Sequence, residues 1–293
     1  MEIEICTDAQ YWDACMEEYN GSVFHSYEWG KLMELLPGVQ FFPVLIETRD
    51  TVVLTPMYVQ DGRLLGSLIG YGGPIIIGQD KIDFSVYESI INKKFENKIQ
   101  KLLLPITINP FQSYSKEKWD YKETYMLDLP NRFEDLWTSC SGKARTSVRY
   151  ARKQNVEVRP ITVAELDEFY QLYQEHNTSI GASYSFSREF FYHLVLNLQE
   201  KILFLGAFLE EELISSSIFI MDKKVLYYWI NINNTEGKNS QSSYLLLNDA
   251  FELAIHNKLK YADLGYSHNK GIARPKIYWG AALKKCFCLK ERI

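Results

Sequence analysis

The segment Lys238-Asn239-Ser240-Gln241-Ser242-Ser243 stands immediately before an apolar run, Tyr244 to Asn257, that reads as a helix. Small polar residues at a helix start leave its first N–H groups and the positive end of its dipole open to an anion. Asn239, Ser240, Gln241, Ser242 and Ser243 are therefore candidates to cradle the phosphates of an activated carrier. Plain N-capping by Ser240 or Ser242 is the other reading of the same residues. A second polar concentration is Gly142 to Gln154, where Lys143, Arg145, Arg149, Arg152 and Lys153 occur with no acidic residue among them. Arg145, Arg149 and Arg152 are spaced i, i+4, i+7 and fall on one helical face. Such a face attracts a polyanion (a nucleotide diphosphate, a tRNA or a lipid-linked pyrophosphate), or pairs with carboxylates elsewhere in the chain. Asp263 ends a strand-like run beside Gly265, at the carboxyl edge where ligands collect in open α/β sheets. There it can serve as a general base, hold a substrate amine, or cap the next turn.

Other chemistries find little footing. His25, His176, His193, His256 and His268 are scattered without paired ligand spacing, so no metal site is expected. No G-x-S-x-G elbow, P-loop or dinucleotide fingerprint follows a strand. With a net charge of −5, any polyanion site must be a local patch. The five cysteines form no even framework and read as reduced thiols. The first residues lack the basic start and apolar core of a signal peptide. The longest uncharged run, Leu64 to Gln79, is broken by five residues (Gly66, Gly70, Gly72, Gly73 and Pro74) and is too interrupted to span a bilayer. A soluble cytoplasmic protein is expected.

The elements that must position these residues follow one order twice. In the second half an extended run, Val156 to Ile161, precedes helical patterns at Val163 to His176 and Arg188 to Leu198. Strand-like runs follow at Ile202 to Leu209, Glu212 to Met221 and Lys224 to Ile232. A helix at Ser240 to Asn257, a strand at Tyr261 to Leu264, a helical piece at Lys276 to Trp279 and a last extended run close the chain. The first half repeats the grammar. A strand at Glu2 to Cys6 and helices at Asp8 to Tyr19 and Ser26 to Leu36 precede strands at Phe41 to Glu47, Thr51 to Val59 and Arg63 to Ile69. A helix at Phe84 to Phe95 and a strand at Leu102 to Ile108 complete it. The expected domains are 1–130 and 155–293, joined by basic connecting helices over 131–154.

The element order resembles the GNAT acyltransferase fold, and the whole chain resembles the FemAB-like, or BioF2-like, double-GNAT transferases related to the peptidoglycan-bridge Fem enzymes. The residues that carry the resemblance are His25-Ser26-Tyr27-Glu28-Trp29, Tyr71-Gly72-Gly73-Pro74, the run Lys143 to Val158, Ala262-Asp263-Leu264-Gly265 and Lys276-Ile277-Tyr278-Trp279-Gly280. It implies an α/β (α+β) chain of two tandem GNAT-like domains, each with a mixed sheet flanked by helices. It also implies transfer of an acetyl or aminoacyl group to an amine on a sugar, peptide or lipid-linked envelope precursor, with transient membrane-surface contact. The implied donor is acetyl-CoA, another acyl-CoA, or aminoacyl-tRNA. Arg274 and Lys276 would contact substrate or phosphate, and Tyr278 matches the tyrosine that many GNAT enzymes use as a general acid. Tyr228, Asn231 and Asn233 lie on the strand whose backbone N–H groups stabilise the oxyanion in that fold. The chain lacks the long helical arm of tRNA-dependent members and the usual GNAT pyrophosphate loop, in whose place stands Asn239 to Ser243. Both carriers stay open, as does a non-catalytic protein that binds a polyanion or a partner.

Overall fold

The computed structural model describes residues 2–78, 81–182, 184–267 and 270–290. His268 lies outside them. The chain divides into two compact units, one made of 1–122 with 285–293 and the other of 123–284. These limits differ from those expected: the helices over 131–154 belong to the second unit, and the chain from Lys285 belongs to the first. The reason is that the last strand pairs its apolar residues, Phe287 and Leu289, with the core of the first unit.

In the first unit β1 (Glu2–Ile5), α1 (Ala9–Glu18) and α2 (Tyr27–Met33) precede β2 (Val39–Glu47), β3 (Val52–Gln60), β4 (Arg63–Leu65) and β5 (Ile75–Ile77). Then come α3 (Phe84–Phe95) and β6 (Ile99–Lys101). The strand order is β1-β2-β3-β4-β6, with β5 also on β3, and only the β4–β6 pair is parallel among the described residues. Asp83 starts α3 by accepting from the N–H groups of Ser85 and Val86, which satisfies two otherwise orphan donors. Its apolar face packs Phe84 against Phe111 and Trp119 at 4.9 and 4.8 Å between ring centres.

The second unit takes up the end of β7 (Trp119–Asp128), then α4 (Phe133–Ser139), α5 (Gly142–Lys153), β8 (Glu157–Pro160), α6 (Leu166–Ile180) and α7 (Arg188–Asn197). It continues with β9 (Ile202–Leu209), β10 (Glu212–Met221), β11 (Val225–Asn233), α8 (Thr235–Asn239), α9 (Ser242–His256), β12 (Tyr261–Asp263), α10 (Lys270–Tyr278) and the start of β13 (Ala282–Leu289). The strand order is β13-β7-β12-β11-β10-β9-β8, with β11 and β12 paired in parallel. Strand alternation assigns the two faces. Leu203, Leu205 and Ala207 of β9 join the cluster that contains Leu246, Ala250 and Phe251 of α9. Phe204 between them packs on Phe169 of α6 at 4.6 Å, so α9 and α6 cover opposite faces of the sheet. Each fully buried leucine or phenylalanine in that core contributes roughly 1.5–3 kcal/mol.

The two tandem GNAT-like domains with mixed sheets are present as expected. Individual elements differ. The apolar run at 102–108 is not a strand beyond a single bridge from Leu103 to Cys288, because Pro105 interrupts it and a turn follows. Of the strand expected at 63–69 only 63–65 forms, and the chain turns beyond Gly66, whose N–H still donates to the Lys101 carbonyl. β7 begins at Trp119, its charged first half lying exposed. β5 and α8 were not anticipated.

Candidate functional site

Beyond Tyr227 and Asp263 the parallel ladder of β11 and β12 ends, although β11 runs on to Asn233. Two residues after the split, the register on the other side of β11 shifts, with Ile218 opposite Ile230 and Phe219 opposite Tyr228. Trp229 is thus the extra residue of a β-bulge, a device that bends a strand and re-aims its side chains. The two strands therefore part at the carboxyl end of β12.

Asp263 and Lys276 meet there. Asp263 is buried and its Oδ1 accepts from Thr124 Oγ1 and from the Gly265 N–H at 2.9 Å. Lys276 is 4% exposed, and its Nζ donates to the carbonyls of Gly265 and Tyr266 at 3.0 and 2.9 Å. Two of its three ammonium donors are thereby used. Burial pulls this ammonium down to about 8, while the charge of Asp263 acts in the opposite sense. Gly265 has φ +71°, and a Cβ there would stand 3.8 Å from the Tyr228 carbonyl and 4.0 Å from Lys276 Nζ. Asp263, Lys276 and the backbone of Tyr228 therefore converge on one glycine. The Tyr228 ring stacks on Phe219 at 5.1 Å, and burial pushes its phenol up.

A second cluster joins the end of β11 to the start of α9. Asn233 Oδ1 accepts from Ser215 at 2.6 Å and Ser243 at 2.9 Å; Asn231 Oδ1 accepts from Ser217 at 3.0 Å and Ser243 at 3.2 Å. Ser242 Oγ donates to the Gly237 carbonyl at 2.8 Å, and Ser240 Oγ to the same carbonyl at 3.3 Å. The serine hydroxyls at the start of α9 thus turn inward and hold the loop to the sheet. Gln241 adopts φ 62°, the left-handed conformation that starts α9, and Asn239 is exposed. What this corner offers an anion is the main chain of the first turn of α9, beside the exposed Lys238. From the opposite face, His176 of α6 reaches the main chain of Asn233, its Nδ1 lying 3.2 Å from the carbonyl oxygen.

The basic helix is α5. Ser141 caps it, and Ala144, Ser147, Val148 and Ala151 form its buried stripe. Arg145 Nη1 donates to the carbonyls of Trp137, Thr138 and Cys140 at 3.0, 3.1 and 2.5 Å, so it locks the end of α4. Arg149 is exposed over the Trp137 ring at 5.7 Å, Arg152 lies 3.8 Å from Asp249, and Lys153 is exposed. Arg274 is exposed on α10. Tyr278 has other surroundings than Lys276: it packs on the core, its carbonyl accepts from the Ser141 N–H at 2.8 Å, and its neighbour is Tyr244, whose phenol is raised by burial and by Tyr278. Among the described residues no group of His, Cys, Asp or Glu is arranged to hold a metal ion, and no helix is long and apolar enough to cross a membrane.

Thr124 was not singled out from the sequence, and His176 was named there only among the scattered histidines. Thr124 stands 139 residues from its partner Asp263 and gave no signal. Ser215-Ser216-Ser217 did: three serines inside an apolar strand, all fully buried, require polar partners.

Many solved structures share the fold. FemX superposes with a TM-score of 0.71 at 12% identity, covering 98% of this chain and 97% of FemX. L-PGS from Bacillus licheniformis gives 0.61 at 14% identity, covering 100% and 95%. A tandem GNAT protein from the clavulanic acid biosynthesis pathway gives 0.54 at 9% identity, covering 98% of each chain. No curated protein matches the sequence. The FemAB-like family model, described as peptidoglycan biosynthesis/recognition, matches residues 118–275, more than half of the chain, and by that match the chain belongs to the FemAB-like family.

Proposed function

We propose that this chain is an acyltransferase that moves an acyl or aminoacyl group from an activated carrier to an amine on a peptidoglycan or lipid precursor. The observation that carries this reading is the split between β11 and β12, where Lys276 Nζ, Asp263 and the Tyr228 main chain converge on Gly265. The family description supports the envelope precursor, and the tandem GNAT neighbour supports acyl transfer.

The carrier supplies a carbonyl carbon bearing a good leaving atom. As the amine forms its bond to that carbon, the bond to the leaving atom breaks, and the surplus proton of the amine passes to water. Lys276 holds a proton for the leaving atom on its third donor. An ammonium at about 8 gives up its proton more readily than an ordinary lysine. Asp263 keeps Lys276 charged and fixes the Gly265 turn, and Thr124 holds Asp263. The main chain of β11 near Tyr228 and Asn231 stabilises the oxyanion. We assign Tyr278 to the wall on the α9 side beside Tyr244.

For the carrier, the exposed cations of α5 (Arg149, Arg152 and Lys153) favour a polyanion. Aminoacyl-tRNA is one; acyl-CoA, with its phosphates at the start of α9 near Asn239 to Ser243, is the other. Arg274 would contact the acceptor. Both carriers belong to the cytoplasm, where we place the protein, with its acceptor reached at the membrane surface. Calorimetry with acetyl-CoA, and separately with bulk aminoacyl-tRNA, at low and moderate salt tests the reading. Acetyl-CoA binding that survives moderate salt, or charged-tRNA binding that falls steeply with salt, supports the corresponding donor. If neither binds, the chain is a non-catalytic binding protein.

A further inference from the structure

On the α6–α7 face of the second unit, opposite α9, aromatic rings gather beside the split. Phe186 lies 5.3 Å from Trp229 and 5.3 Å from Tyr184, edge to face in both pairs. Phe190, fully buried, stacks under Phe186 at 4.5 Å and closes the floor. The cluster is built rather than incidental. Tyr173 from α6 accepts a hydrogen bond from the Phe186 N–H at 3.0 Å and pins the loop, while the β-bulge supplies Trp229. Tyr184 remains 50% exposed, and Phe186 and Trp229 half-buried. An aromatic wall that stays partly open next to a reacting centre has a binding surface that its own core does not consume.

We propose that Tyr184, Phe186 and Trp229 form the acceptor subsite and that its ligand is an uncharged sugar ring, stacked by its C–H face on the wall. This rests on reading the adjoining split as the site of acyl transfer. Three features select a sugar. Arg188, the cation nearest in sequence, is paired with Asp167, which disfavours a phosphate-bearing nucleotide. The rim is hydroxylated, with Tyr184, Ser185 and Ser187 all exposed, which suits a ring of hydroxyl groups around an apolar face. The floor is filled by Phe190, so the wall is a shallow platform without the deep groove that would shield a lipid chain from water. Donor and acceptor then approach from opposite faces of the sheet and meet at the split between β11 and β12.

The test uses a disaccharide of N-acetylglucosamine as probe, with AMP and dodecylamine as competitors in chemistry. Calorimetry and saturation-transfer NMR are run on the full chain and on Tyr184→Ala and Trp229→Leu. Tyr184 is exposed on a loop, so Tyr184→Ala leaves the fold intact, as circular dichroism will verify. The expected result is saturable disaccharide binding, weakened about fivefold by Tyr184→Ala and about tenfold by Trp229→Leu. The proposal is overturned if the disaccharide does not bind, if both variants bind it as the parent does, or if AMP or dodecylamine alone binds in a Tyr184-dependent way. Acetyl-CoA and aminoacyl-tRNA binding are measured on the same proteins. Intact donor binding without sugar binding removes this subsite and leaves acyl transfer standing; loss of both removes the underlying reading.

Discussion

Each unit contains a short parallel strand pair, β4 with β6 in the first and β11 with β12 in the second, and the chain leaves each pair differently. In the first unit the seam is closed by main chain. Gly66 N–H donates to Lys101 O at 2.7 Å, Leu103 N–H to Ser67 Oγ at 3.0 Å, and Gly72 N–H to Leu103 O at 2.9 Å. A Cβ at Gly72 would fall 2.1 Å from the Gly66 carbonyl, so the turn is packed to contact. The buried His25 beside it is held down to about 4 by burial. In the second unit the equivalent place is taken by polar side chains: Asp263 Oδ1 accepts from the Gly265 N–H at 2.9 Å and Lys276 Nζ donates to the Gly265 carbonyl at 3.0 Å. One topology can thus be closed by main chain or by polar side chains, and the glycines at each seam set how near the chain approaches.

The contrast makes predictions of decreasing size. Lys276→Met should lower acyl transfer about a thousandfold, near 4 kcal/mol, whereas Lys101→Met in the first unit should leave turnover within about twofold. Thiol release from acetyl-CoA, or deacylation of charged tRNA, measures both. In the parent, transfer should decline as pH rises through about 8, because Lys276 then loses the proton it donates. Stability moves the other way: between pH about 8 and 10.5 the unfolded chain binds more protons at this lysine, so denaturant midpoints should rise across that window. A flat rate profile there would remove Lys276 from the proton-donor role.

Glycine substitutions come next. Gly72→Ala should cost about 3 kcal/mol, through its clash with the Gly66 carbonyl, and Gly265→Ala only about 1 kcal/mol, for its left-handed backbone. Urea titration separates them, and equal costs would erase the distinction between the seams. Arg149→Glu should weaken polyanion binding about tenfold and flatten its salt dependence, with Arg145→Gln instead lowering stability, since Arg145 holds α4. The smallest effect is Glu165→Gln, which loses the Arg159 partner at 2.6 Å and should cost about 1 kcal/mol at neutral pH. Arg159 and the Thr162 cap hold the Glu165 carboxyl down to about 2, so its stabilisation is present above the unfolded value near 4.5 and is lost as pH falls through about 2.

Much of the fold could be read from residues with local causes. α5 formed nearly where the acid-free basic run Gly142 to Gln154 indicated, and β9 to β11 formed at their strand-like runs. Strands held by non-local partners were harder. The first half of β7, Trp-Asp-Tyr-Lys-Glu-Thr, looks like a loop because one face meets solvent, and Leu102 to Leu104 looks like a strand although its partners come from β13. The candidate site divides the same way. Asp263 was visible from its position at a strand end. The burial of Lys276, the inward turn of the serine hydroxyls and the commitment of Arg145 to α4 all depend on contacts made across the folded unit, which spacing does not encode.

The return of β13 to the first unit bears on how the chain folds during synthesis. Leu289 N–H donates to Leu102 O at 2.8 Å and Leu104 N–H to Phe287 O at 3.0 Å, and Leu289 is buried in the first unit's core. Residues 123–284 are contiguous, so they can condense as soon as they emerge from the ribosome. The first unit is made earlier but must wait for Lys285 and the residues after it before that core is complete. Domains usually mature in the order of translation. Here the contiguous second unit can close first, and the first unit closes last.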